Sequence, residues 1–167
     1  MDLSKLSTGD KVMGGSAIAL LIFSFFTWFS AGSGQYTLTQ NGWDYFFTGI
    51  LPVLIGLAIL AYVLAVKAAE AVTIPDLPVE HPVVILGFGA FAGLLLILRL
   101  LMGGEYGGYS GDLLKRSFGL YLSVLAGIGL AVGAFLSFKE SGASLPTKGG
   151  GTGGGTTPPG GTPPTPF

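Results

Sequence analysis

The stretch Pro82–Met102, PVVILGFGAFAGLLLILRLLM, carries a single charge, Arg99, in a run long enough to cross a bilayer. A hydrocarbon core about 30 Å thick needs roughly 20 apolar helical residues. On an insertion scale a central Arg costs about 2.5 to 3.5 kcal/mol, while each Leu, Ile, Phe or Val returns about 0.3 to 0.6. With Leu, Ile, Phe and Val filling most of the run, insertion is favourable despite Arg99. The cost falls further because Arg99 lies only about one turn from the end of the stretch.

On either side of it, three more segments share this character: Val12–Ala31, Tyr45–Val66 and Ser117–Phe138. None places polar residues along one face at helical period, as a soluble amphipathic helix would. The expected fold is therefore all-α, an integral membrane four-helix bundle over residues 1–140. From Lys148 the chain is almost entirely Gly, Thr and Pro, with too little apolar surface to offset the entropy of ordering it, so 141–167 is expected to be a disordered tail.

Composition narrows the function classes. Charged residues make up 10% of the chain and apolar ones 50%, whereas a soluble domain carries about 25% charged residues. There is no Cys, which removes disulfides, thiolate metal sites and a cysteine nucleophile, and a single His, His81, leaves little for a metal. A net charge of -1 gives no electrostatic footprint for nucleic acid. No nucleophile–base pair is visible. Gly103, Gly104, Gly107 and Gly108 follow a helix instead of a strand, which does not suit a phosphate-cradling loop. Neither a catalytic, a cofactor-binding nor a metal-binding residue is assigned.

Local punctuation sets expected boundaries. Ser7 with Asp10 has the capping-box pattern before the first run. Asp44 is expected to cap the second helix, with Trp43 and Tyr45 at interfacial depth. Pro82 suits a first helical turn. Pro52 cannot donate to the carbonyl of Thr48, so a kink is expected there. Glu70, Asp76, Glu80 and His81, among Pro75 and Pro78, read as a solvated loop. The first run is read as an uncleaved span, being longer than a signal core and crowded with Phe23, Phe25, Phe26, Trp28 and Phe29.

Orientation follows from Lys and Arg in short loops. With the N-terminus inside, Lys5, Lys11, Lys67, Lys139 and Lys148 are cytoplasmic, and only Lys115 and Arg116 lie outside. Both termini are thus expected in the cytoplasm of a plasma-membrane, multi-pass protein.

Two sets of residues stand out. Arg99 could snorkel to the headgroups, pair with Asp44, Glu105 or Asp112, or form with them a site for a lipid phosphate or other anion. Gly119, Ser123, Gly127 and Ala131 recur at four-residue spacing, with Gly129 and Gly133 on a second face, and Gly89 and Gly93 repeat the spacing in the third segment. Small residues so placed let helix backbones approach closely. They suit packing within the chain's own bundle, self-association, or docking to a membrane protein partner.

The opening Leu6–Phe29, LSTGDKVMGGSAIALLIFSFFTWF, with the Arg-containing third segment and the Gly-rich RSFGLYLSVLAGIGLAVGAFL of 116–136, resembles small, uncharacterised four-pass membrane proteins of actinobacterial type. The resemblance covers about Met1 to Glu140. It implies a membrane location and brings no catalytic residues. The reading is a non-catalytic accessory or scaffold protein embedded in the lipid bilayer. The alternative is a small oligomeric channel or transporter with an outer-facing site near Arg99 and Asp44.

Overall fold

The structure is a computed structural model that describes residues 6–32, 37–68, 80–106, 109–110 and 114–143. Asp112, most of the acidic loop before His81, and the tail from 144 onward lie outside the described residues. The described residues form four α-helices, α1 Thr8–Ser24, α2 Leu51–Tyr62, α3 His81–Met102 and α4 Phe118–Ser141, with short strands gathered at one end. Three of the helical stretches, Phe46–Val66, His81–Met102 and Phe118–Ser141, are long and apolar enough to cross a membrane.

α1 starts at Thr8, earlier than the apolar onset at Val12, because Ser7 closes its capping box. The Asp10 amide donates to Ser7 Oγ at 3.2 Å and the Ser7 amide to Asp10 Oδ2 at 3.2 Å. It ends at Ser24, well short of Ala31. The aromatic run beyond it leaves the helix, and Phe29–Ala31 forms strand β1. Apolarity alone does not separate a buried strand from a continuing helix, and Phe and Trp suit both. The helical part is therefore 17 residues, about 25 Å at 1.5 Å per residue.

The second helical stretch departs from regular geometry where Pro52 approaches. The Ile50 amide donates to the Tyr45 carbonyl and the Leu51 amide to the Phe46 carbonyl, five residues back in each case. This wide turn over Phe46–Ile50 leaves Pro52 in the first turn of α2, where its missing N–H costs little. The stretch also widens at its far end, over Val63–Ala68. Asp44 does not cap α2 as expected. It closes a box with Asn41 around the 3₁₀ turn Gly42–Asp44, and no side chain caps the turn that Tyr45 opens. α4 continues to Ser141 and stops at Gly142, whose φ of 69° is the left-handed cap conformation that suits glycine.

The helices alternate in direction and pack in a ring. α4 makes the most extensive contacts, with α1 on one side and α3 on the other, and α2 closes the ring with smaller contacts to α1 and α3. Small residues set these approaches. A Cβ on Gly133 would lie 2.6 Å from the Met13 amide nitrogen of α1, and one on Gly9 would lie 2.3 Å from that of Ser137. A Cβ on Gly93 of α3 would lie 3.1 Å from the Gly127 carbonyl of α4.

Another set of large side chains points outward. Phe118, Tyr121, Leu125, Ile128, Val132 and Phe135 form an exposed stripe along α4, spaced three and four apart. On α3 the exposed set includes Phe88, Phe91, Leu94, Leu98 and Leu101, and on α1 Ile18 and Ile22. A bundle solvated by water carries its polar residues on these faces, so the arrangement is inverted relative to a soluble bundle.

At the end where α1 and α3 finish and α2 and α4 begin, strands cap the bundle. β1 pairs antiparallel with β2 (Leu38–Gln40) on one side and β5 (Lys115–Arg116) on the other, placing Phe29 opposite both Gln40 and Arg116. Glu105–Tyr106 (β3) and Tyr109–Ser110 (β4) form a separate hairpin. The Ser117 amide donates to the Trp28 carbonyl at 2.7 Å and the Gly119 amide to that of Thr27 at 3.1 Å, fixing the start of α4.

Gly133→Ala is expected to lower stability by about 1 to 3 kcal/mol, because the new methyl meets backbone that cannot yield. Gly15→Ala, where a Cβ meets nothing within 4 Å, should leave stability unchanged or raise it by up to about 1 kcal/mol. Reversible denaturation in mixed micelles measures both, and equal losses would contradict the packing described.

Candidate functional site

Among the described polar side chains, Arg99 is the most unusual. It lies in the last turn of α3 and is only 3% exposed, so it neither snorkels outward nor reaches solvent. Its guanidinium carbon stands 3.3 Å from the centre of the Tyr45 ring and 5.2 Å from that of Phe29, a buried residue of the cap strand β1. Tyr45 enters as the chain turns into the wide turn before α2, and Phe29 enters through β1, so three separate elements meet at this one charge. The two rings stand edge to face, 5.7 Å apart. The Tyr45 hydroxyl donates to Gln40 Oε1 on β2, tying the stacked ring to the strand cap.

The stacked rings favour the cation electrostatically, by about 2 kcal/mol or more when desolvated. They do not satisfy its in-plane donors. Nε and Nη2 of Arg99 are both buried without a hydrogen-bond partner. Of the carboxylates expected near it, Asp44 is exposed and accepts the Asn41 amide at 2.7 Å through Oδ2. Glu105 lies in β3, beyond Met102 of α3 by way of Gly103 and Gly104, and Asp112 falls outside the described residues.

Arg116 occupies the same end in a different role. Its Nε donates to the Leu100 carbonyl at 2.8 Å and its Nη2 to that of Leu101 at 3.3 Å, satisfying the last turn of α3. A cation at a helix C-terminus is favourable there by about 0.3 to 1 kcal/mol. Gly103, with φ of 81°, ends the helix and returns its amide to the Arg99 carbonyl.

The small-residue set divides between two neighbours. Gly89, Gly93, Gly127 and Ala131 lie where α3 meets α4, Gly119 abuts Phe26 and Thr27, and Ser123 returns its hydroxyl to the Gly119 carbonyl at 2.8 Å. Gly129 and Gly133 face Ser16 and Met13 of α1. One step further along this second face, Ser137 donates to Asp10 Oδ1 at 2.9 Å, and Glu140 Oε2 accepts the Gly9 amide at 3.1 Å. Asp10 is 2% exposed. The four-residue spacing of 129, 133 and 137 carries the signal for this pair, although the partner on α1 is not deducible from spacing.

An apolar cleft of about 320 Å³ opens between α2 and α3, lined by Leu54, Ala58, Ile59, Tyr62, Ile85 and Phe88 among others. Near its end His81 stacks on Tyr62 at 6.3 Å between ring centres. Among the described residues no three His, Asp or Glu side chains gather in a way that could hold a metal ion. Compared with protein-family models, characterised proteins and solved structures, the chain matches none.

Tyr45→Phe keeps the ring over Arg99 and removes only its hydroxyl, so a loss of about 1 kcal/mol is expected. Tyr45→Ala removes the stack as well and should cost at least about 2 kcal/mol more. Thermal unfolding of the detergent-solubilised chain, read by tryptophan emission, distinguishes them. Indistinguishable variants would mean that the ring contributes nothing to holding the charge.

Proposed function

We propose that this chain is a non-catalytic integral membrane protein of four passes, acting as an accessory or scaffold subunit of the plasma membrane. The observation that carries the reading is the outward stripe of Phe118, Tyr121, Leu125, Ile128, Val132 and Phe135 on α4, matched on α1 and α3. Hydrocarbon is the solvent in which such a surface has no cost. The resemblance to four-pass proteins of actinobacterial type points the same way.

α1, at about 25 Å, is shorter than the core that it would cross. The exposed aromatic residues just beyond it extend the apolar reach. Phe25 packs on Trp43 at 5.3 Å between ring centres, and Phe46 on Phe47 at 5.2 Å. Such rings favour the interfacial layer, so the strand cap sits at headgroup depth and the first pass is completed by the turn that follows α1. Both termini then lie in the cytoplasm, as the basic residues predict. Lys115 and Arg116 count against this orientation, and of the two Arg116 has a local reason for its place in the carbonyls of Leu100 and Leu101.

A packing role is favoured over a conduit because the buried serines are engaged, two within their own helix and one with Asp10. Ser24 bonds the Leu21 carbonyl, Ser123 that of Gly119, and Ser137 bonds Asp10. Among the described residues they form no polar path along the bundle. Partners would meet the exposed helix faces, in the manner of subunits that associate within lipid.

Two measurements test this. The chain lacks cysteine, so single cysteines report topology without background. Cysteines at Ser144 and Thr37 in intact cells should label with an impermeant maleimide only at Thr37. Labelling only at Ser144 would invert the orientation. Mild-detergent purification should yield a stoichiometric membrane partner, and a chain that always runs alone as a monomer would contradict the scaffold role.

A further inference from the structure

We propose that the Nε–Nη2 edge of Arg99 is a binding edge for an oxyanion, a phosphate or a carboxylate, held beneath the strand cap. Such a site is independent of the scaffold role.

A guanidinium does not shed its proton in proteins, so a buried one stays charged and must be compensated. An unpaired buried charge is costly by several kcal/mol. Tyr45 offers a ring face, which attracts the charge but accepts no in-plane N–H. The two donors left without partners are not scattered. Nε and Nη2 lie side by side on one edge of the fork, the arrangement that pairs two parallel N–H groups with two oxygens of a carboxylate or phosphate. Had one isolated donor been left over, a single water or carbonyl would suffice. A paired edge calls for a two-oxygen acceptor.

The carboxylates with described side chains are placed elsewhere. Asp44 is exposed and bonded to Asn41, while Asp10 and Glu140 are at the opposite end, bonded to Ser137 and Gly9. Glu80 is exposed at that same far end, just before α3. The chemistry of the ligand follows, and its source has two candidates. Arg99 lies in the last turn of α3, level with the Trp43 and Tyr45 layer, where a lipid phosphodiester would be close. A free phosphate or carboxylate presents the same two oxygens. Both donors are closed off from solvent, so occupancy is coupled to closure of the cap and reads out as stability of the whole chain.

The test is thermal unfolding of the full-length protein. One arm uses non-ionic detergent with sodium phosphate or sodium acetate, against sodium chloride at equal ionic strength. The other uses the same non-ionic detergent micelles alone or doped with phosphatidylglycerol. At least one oxyanion should raise Tm by about 3 °C or more over its control, since a ligand well above its Kd stabilises the state that binds it. A rise confined to phosphatidylglycerol assigns a headgroup, and a rise with phosphate or acetate in detergent assigns a soluble anion. Arg99→Lys keeps the charge but loses the paired edge and should retain less than half of the shift. Arg99→Met should lose it, and Lys115→Gln, an exposed charge at the same end, should keep it. No shift in any arm for the parent protein overturns the proposal without recourse to a variant. So does a full shift in Arg99→Met or Arg99→Lys.

Discussion

Helix backbones in this bundle come close enough for their small faces to touch, and the rest of the architecture follows from that approach. The helices have no amphipathic division into polar and apolar sides, so burial of an apolar stripe cannot say which face goes inward. What marks the inward faces is the placing of small residues at the points of closest approach. Gly133 meets the backbone of Met13, Gly127 meets Gly93, and Gly9 meets Ser137. Where the backbones touch, Phe118, Leu125, Ile128 and Phe135 of α4 are turned outward, while Leu20, Leu96, Leu120 and Leu130 fill the space between the points of closest approach. Association then rests on contact and on a few buried bonds, such as Ser137 to Asp10. This is how helices pair where surrounding chains are as apolar as leucine.

The same constraint explains the two ends. At the end where α1 begins and α4 finishes, close approach brings polar groups together, and the free amides of the first α1 turn are met by Ser7, Asp10 and Glu140. At the other end the helices stop at different heights, and the chain makes up the difference with strands. β1 lies between β2 and β5 and seals the space above Arg99. The charge on Arg99 is thus enclosed by elements drawn from three parts of the chain, which is why its donors end up without partners close in sequence.

Much of this is readable in the residues. Four apolar runs correspond to four helices, Ser7 with Asp10 marks the start of α1, and Pro82 the start of α3. The end of α1 is not readable, because an aromatic run from Phe25 to Phe29 suits a lipid-facing helix and a buried strand equally. Its pairing with Gln40 and Arg116 depends on contacts across 11 and 87 residues. Reading Asp44 as the cap of α2 fails, although Asn41 three residues earlier carries the pattern of a separate box. Arg99 is visible as an anomaly in its run. Its inward direction depends on where Tyr45 and Phe29 are placed, and neither residue signals that locally. Glycine spacing marks the packing faces, while the division of those faces between α1 and α3 emerges only from the assembled bundle.

The stripe of Leu125, Ile128 and Val132 on α4 faces hydrocarbon in this account, while Gly127 and Leu130 face protein. Spin labels on single cysteines at Leu125, Ile128 and Val132, and at Gly127 and Leu130, read this directly in reconstituted bilayers. Frequent collisions with oxygen and few with a water-soluble nickel complex are expected at the first three, and little access to either at the last two. Ready access of the nickel complex to Leu125, Ile128 and Val132 would refute the assignment of faces.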